Sequence, residues 1–223
     1  MSGYLVVGLG RFGKSVAKTL YRNGKTVLAL DRDEESVQQA IEYQIVDEAI
    51  ILDVTDENSL KKIVNDNFDT AIVCIGSDMQ SSILATLLLK EIGVKNIICK
   101  AANRIQGKVL EKVGATQVVY PEETMGEKIA MKVIQPDITE HFKFSDEYGM
   151  FEFEAPSQFI GKNLIELNLR KKYDMNIIGI RKPGEESTMN PDPDTVIEEG
   201  SVLFSISRID RTEQFYKLLE AKK

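Results

Sequence analysis

Short apolar runs alternate with amphipathic stretches along the first 134 residues. The runs at 4–7, 27–30, 49–52, 71–75, 97–99 and 118–120 are mostly rich in β-branched residues. They are continuous rather than alternating, as strands covered on both faces require. Between them lie stretches with polar starts and apolar residues at helical spacing, such as 16–23 and 81–92. Asp56-Glu57-Asn58 before Leu60, and Asn103 before Ile105, have the oxygens and charge that satisfy free amides at a helix start. Gly24, Gly93 and Gly114 fall where helices should stop. Six βα units in this order predict an α/β fold, a Rossmann-like doubly wound parallel sheet. A connecting helix is predicted from Glu122 to about Ile134, ended by Pro136.

The pattern then changes. Phe151-Glu152-Phe153-Glu154 alternates with period two, as a half-exposed strand does. Further strands are predicted at 176–181 and 202–207, with a turn at Lys182-Pro183-Gly184 and a loop over Asn190-Pro191-Asp192-Pro193-Asp194. The division is therefore a nucleotide-binding domain with its connecting helix over 1–134, and a small α+β domain over 135–223.

Composition narrows the function classes. Net charge is −7, which argues against nucleic acid as a partner, since a phosphate-binding surface carries a basic excess. No apolar run approaches the roughly 18 to 20 residues that cross a bilayer. The N-terminus reads directly into a strand rather than a secretory signal, so the expectation is a soluble intracellular protein. Cys74 and Cys99 sit inside apolar runs and are expected in the core. The lone histidine, His141, is expected on a solvated loop.

Gly8-Leu9-Gly10-Arg11-Phe12-Gly13 follows the first strand and opens the first helix, and Asp31 closes the second strand. In that context the string is a dinucleotide-type phosphate loop. Gly8 permits the tight turn, Gly10 lets the backbone approach a phosphate, and Gly13 lets helix and strand pack. Amides at the helix N-terminus face the phosphate oxygens, and Asp31 accepts from ribose hydroxyls. The competing reading is that the glycines serve packing alone and Asp31 caps the next helix. Arg11 in the first helical turn opposes the helix dipole, so either an anion stands nearby or the arginine is solvated. Ligands in such sheets bind outside the carboxyl ends of the strands, which extends the candidate site. Asp53 and Val54 end the third strand, with Asp53 placed to read an adenine amino group. Ile75, Gly76 and Ser77 end the fourth, and Lys100 ends the fifth, where its ammonium meets phosphate. Phe12 and Arg32 complete the set. Glu122 either caps the connecting helix or helps hold a divalent cation.

Catalysis lacks support at the level of residues. Tyr21 and Lys25 have the Tyr-x-x-x-Lys spacing of short-chain dehydrogenases, but at the far end of the first helix. No P-loop, G-x-S-x-G or zinc-ligand spacing occurs. A binding module is favoured, with an NAD(H)-dependent oxidoreductase or NAD(H) sensor as the rival and a plain scaffold as a third class.

Several strings resemble one family. Gly8 to Gly13, Asp31, Asp53-Val54-Thr55, Leu87-Leu88-Leu89-Lys90, the stretch 109–115 and Pro121-Glu122 are similar to the regulator-of-potassium-conductance (RCK, or KTN) proteins of Ktr and Trk systems. So are Ile160-Gly161-Lys162-Asn163-Leu164, the stretches 167–170 and 176–180, and Ile197-Glu198-Glu199-Gly200 in the second half. The resemblance implies a cytoplasmic regulatory subunit, not an enzyme, at the inner face of the membrane. Its partner would be an integral-membrane potassium-translocating subunit, and its own dimers would assemble into an octameric ring. It implies ATP or ADP in the first domain, Arg11 reaching phosphates across the dimer interface, and Glu122 near a bound cation such as Mg²⁺. It also implies cyclic di-AMP in the second, RCK C-terminal, domain, at positions matching Arg170, Asn176, Ile177 and Pro191.

Overall fold

The computed structural model describes residues 3–64, 67–134, 138–145, 147–211 and 215. The chain divides into two compact units, Met1–Glu123 and Thr124–Lys223.

The first unit alternates strand and helix. Its elements are β1 (Gly3–Val7), α1 (Arg11–Arg22), β2 (Val27–Asp31), α2 (Glu34–Glu42), β3 (Glu48–Ile51) and α3 (Glu57–Val64). They continue as β4 (Phe68–Val73), α4 (Met79–Ile92), β5 (Asn96–Lys100), α5 (Arg104–Val113) and β6 (Gln117–Val119), and α6 (Pro121–Ile134) starts in this unit and continues into the second. The strands form one six-stranded sheet in the order β3-β2-β1-β4-β5-β6, every pair parallel. The apolar runs are continuous because both faces are covered. Leu5, Val7, Leu30, Ala71, Val73, Ile97 and Cys99 pack with Leu60, Leu88, Leu89 and Leu110 from α3, α4 and α5. Val6, Ala29, Ile72 and Cys74 lie on the opposite face against Ala17 of α1 and Val37 and Ala40 of α2. Both cysteines are buried, as expected from the sequence.

The second unit holds a five-stranded antiparallel sheet, ordered β10-β9-β11-β8-β7. Its strands are β7 (Ile138–Lys143), β8 (Tyr148–Glu154), β9 (Met175–Arg181), β10 (Thr188–Met189) and β11 (Val202–Arg208), and the short helices α7 (Leu164–Leu167) and α8 (Leu169–Tyr173) sit between β8 and β9. The period-two alternation of β8 sorts Phe151 and Phe153 into the core, where they meet Leu203, Met175 and Phe215. Glu152 lies on the other face and pairs with Arg181 at 2.9 Å. His141 lies in β7 opposite Phe151, which corrects the expectation of a loop. A polar edge strand (Ile-Thr-Glu-His-Phe-Lys) gives little alternation to read. Pro136 lies outside the described residues. Among the described residues no helix is long and apolar enough to cross a membrane.

Candidate functional site

The turn between β1 and α1 is built by its glycines and one carboxylate. Gly8 has φ +96°, a left-handed conformation that favours glycine. A Cβ on Gly13 would stand 1.8 Å from the Gly8 carbonyl oxygen, so α1 contacts the end of β1 backbone to backbone. A Cβ on Gly10 would meet nothing within 4 Å, which leaves that face of the turn open. The Leu9 amide donates to Asp31 Oδ2 at 2.5 Å and the Asp33 amide donates to Asp31 Oδ1 at 2.9 Å. Asp31 therefore ties the glycine turn to the end of β2 while lining the space above it. It does not cap α2: Asp33 does, accepting from the Ser36 amide at 2.9 Å.

Helix α1 differs from its neighbours at its start. Asp33 on α2, Asp78 on α4 and Asn103 on α5 each accept a backbone amide of their helix. Helix α1 starts from Gly10 with no side-chain cap and no acidic residue in its first turn. Its first amides and the positive end of its dipole are left facing outward, which is how helix ends receive anions.

Above this turn opens a crevice of about 730 Å³, part of it continuous with solvent. Nine of the residues expected from the sequence line it: Gly8, Gly10, Asp31, Arg32, Asp53, Val54, Ile75, Gly76 and Ser77. The sequence reading missed Ser36 and Ser81 and gave no role to Asp78, Leu30 or Leu52, which also line it. Asp33-x-x-Ser36 and Asp78-x-x-Ser81 are helix-capping spacings at strand ends, and that signal could have found them. The hydroxyl and amide of Thr55 hold the Asp53 carboxyl below its ordinary value. The amide and hydroxyl of Ser81 do the same for Asp78, with help from Arg32. Arg32 Nη1 lies 3.4 Å from Asp78 Oδ2 across the crevice.

Five expected residues, Arg11, Phe12, Gly13, Lys100 and Glu122, lie outside the crevice lining. Lys100 Nζ meets Glu122 Oε1 at 2.5 Å and lies 5.7 Å from the centre of the Phe12 ring. The same ammonium would be 3.2 Å from a Cβ on Gly76, so it stands directly behind the crevice wall. The Lys100 hydrogen bond holds the Glu122 carboxyl below its ordinary value. Glu122 is thus one carboxylate already engaged by an ammonium, and its neighbour Glu123 pairs with Arg104. These residues alone do not make a cation site, and among the described residues no group of three or more His, Cys, Asp or Glu does either. Arg11 is exposed on the first turn of α1. In the second unit, Arg170 is exposed on α8 and Asn176 is exposed on β9. Ile177 packs partly against the core, and Pro191 follows β10 in the acidic loop.

The fold and crevice define a class: a Rossmann-like nucleotide-binding domain followed by a small antiparallel sheet domain. The pattern of the TrkA-N domain matches residues 4–121 and that of the TrkA-C domain matches residues 150–220. The chain belongs to this family. It is 39% identical over 214 residues to the Ktr system potassium uptake protein C of Bacillus subtilis (strain 168), covering 96% of each chain. It is 40% identical over 200 residues to the Ktr system potassium uptake protein A of the same organism, covering 90% of this chain and 89% of that one. Among solved structures, the GsuK RCK domain superposes with a TM-score of 0.68 at 18% identity, over 98% of this chain. The chain spans 47% of that GsuK chain, and the likeness is one of fold. The RCK resemblance read from the sequence therefore holds.

Proposed function

We propose that this chain is the regulatory subunit of a potassium-uptake system and that it works by binding ATP or ADP in the crevice of its first unit. The observation that carries the reading is the uncapped start of α1 facing a crevice edged by Asp31, in a chain related over nearly its full length to Ktr potassium uptake proteins. The amides of α1 receive phosphate oxygens where Gly10 leaves room. Asp31, fixed by two amides, accepts from the ribose hydroxyls. Asp53 takes the amino group of the base. Lys100, behind Gly76, adds positive potential near the phosphates. In this reading the domain over 1–134, with its connecting helix, senses the nucleotide and the domain over 135–223 relays the signal. No bond is made or broken on a second substrate, so the subunit is a sensor rather than an enzyme.

ATP and ADP can drive a switch only if they bind two conformations unequally. A bias of about 1–3 kcal/mol per site suffices when it is summed over an assembly. Arg11 points outward from the first turn of α1, and a second copy of the chain would offer it a γ-phosphate. Dimers and a larger ring, a cytoplasmic position and docking on an integral-membrane potassium-translocating subunit follow from the same reading. A divalent cation beside Glu122 would need phosphate oxygens to complete its ligands, and no step relies on it. Cyclic di-AMP near Arg170, Asn176, Ile177 and Pro191 is the corresponding reading for the second unit.

Calorimetric titration of the purified protein with ATP, ADP and NADH tests the proposal. Arg11→Ala should weaken ATP by about 5- to 150-fold, the range of a typical coupling, and leave ADP within about twofold. Equal loss for both would remove Arg11 from the γ-phosphate. NADH binding more tightly than either, with turnover of any substrate, would replace the sensor by an oxidoreductase.

A further inference from the structure

The sheet order places β2 and β4 on either side of β1. The chain leaving β2 and the start of α4 therefore face each other across the crevice. There Arg32 and Asp78, 46 residues apart in sequence, meet at 3.4 Å. Among the described residues lining the crevice Arg32 is the one cation. The fold makes no other use of it, since its side chain is 67% exposed and the start of α2 is capped by Asp33. Asp78 also has a structural role, since its two oxygens accept from the Ser81 amide and hydroxyl at 3.0 and 2.8 Å. Asp78 is thus held in place by α4, and Arg32 is the movable member of the pair.

The lining of the same crevice includes Leu30, Leu52, Val54 and Ile75. These apolar groups and a planar cation border one space, which Asp31 and Gly10 at the start of α1 also line. A flat aromatic ring suits such a slot, because a guanidinium stacks on ring faces and an apolar surface takes the opposite face. We propose that Arg32 forms the roof of a purine slot, stacking on the base while Asp78 holds its guanidinium across the crevice. This rests on the nucleotide reading above and deepens it: Arg32 sets the preference for a base-bearing ligand, independently of how many phosphates follow. Asp78 is a positioning residue, acting on the base through Arg32. An arginine next to the ribose carboxylate could instead serve a 2′-phosphate. The carboxylate of Asp78 occupies the guanidinium and disfavours that use.

The test compares ATP, ADP and ribose 5-triphosphate by calorimetry on wild type, Arg32→Gln and Asp78→Asn, with thermal melts to confirm folding. Asparagine keeps one oxygen to cap α4 by accepting from the Ser81 amide, and it removes the charge. Arg32→Gln should weaken ATP and ADP alike, by about 5- to 30-fold for a desolvated stack, and leave ribose 5-triphosphate unchanged. Asp78→Asn should weaken ATP by about two- to fivefold, in keeping with an exposed ion pair. Combining it with Arg32→Gln should add almost nothing further. Unchanged ATP affinity in Arg32→Gln overturns the roof while the nucleotide reading stands. Equal loss for ribose 5-triphosphate, or NADPH binding above NADH in wild type, also overturns it, because Arg32 would then read phosphate. Absence of binding by ATP and ADP to folded wild type overturns both.

Discussion

Gly8, Gly10 and Gly13 are the same residue type within six positions, yet the structure needs each for a different reason. Gly8 holds a left-handed backbone, Gly10 leaves open space, and Gly13 lets two backbones touch. These roles were legible in the sequence because the strand before and the helix after fix the geometry of the string. Gly13→Ala should cost about 3 kcal/mol or more, since a methyl 1.8 Å from a backbone oxygen forces α1 away from β1. Gly10→Ala should stay within about 1 kcal/mol. Urea denaturation of the two variants side by side checks the contrast. Less legible was the share of the crevice made by Asp78, Ser81 and Ser36. Their local spacing announces a helix start, and only the sheet order turns those starts toward one crevice. Lys100 was placed correctly at a strand end, but its ion pair with Glu122 depends on how β5 and α6 meet, which spacing does not encode.

Among the elements, helices with a polar start and a glycine stop were read well. Helix α4 runs from its Asp78 cap to Gly93, which adopts φ +101° as a left-handed helix end does. Helix α5 begins at Asn103, whose side chain accepts from the Gln106 amide at 2.9 Å. Asn103→Ala should cost about 1 kcal/mol of stability, and Asn103→Asp should restore most of it. Chemical denaturation monitored by circular dichroism measures both. The elements missed were short or polar. Helices α7 and α8 have four and five residues, too few for a 3.6-residue period to emerge. Strand β10 has two residues, and β7 lies at a sheet edge with polar residues at most positions. Edge strands need burial on fewer sides, so their sequences carry a weaker hydrophobic record.

The acid response of the whole molecule follows from where its carboxylates hold elements together. Asp33, Asp56 and Asp78 directly precede helices of the first unit, and Asp53 lies in the turn between β3 and α3. Hydrogen bonds from Ser36, Thr55, Ser59 and Ser81 hold each below the ordinary value of 3.8. A carboxyl depressed in the fold contributes stability that is complete above its unfolded value and is lost as pH falls through the folded one. Melting temperature should therefore be insensitive to these groups between about pH 7 and 5, and should fall below about pH 4. Thermal melts across that range measure it. An Asp33→Asn variant should show a shallower decline, because asparagine caps without titrating.

The pairing of β1 with β4 joins Tyr4 to Thr70, the longest separation along the chain of any neighbouring strands in that sheet. Strands β1 to β3 and β4 to β6 can each assemble from nearby segments, whereas the join between the two sets must close a long loop at greater entropic expense. The crevice straddles this seam, drawing Gly8, Gly10 and Asp31 from one half and Gly76, Ser77 and Asp78 from the other. Whatever fills it stitches the halves together at the place where zipping finishes last.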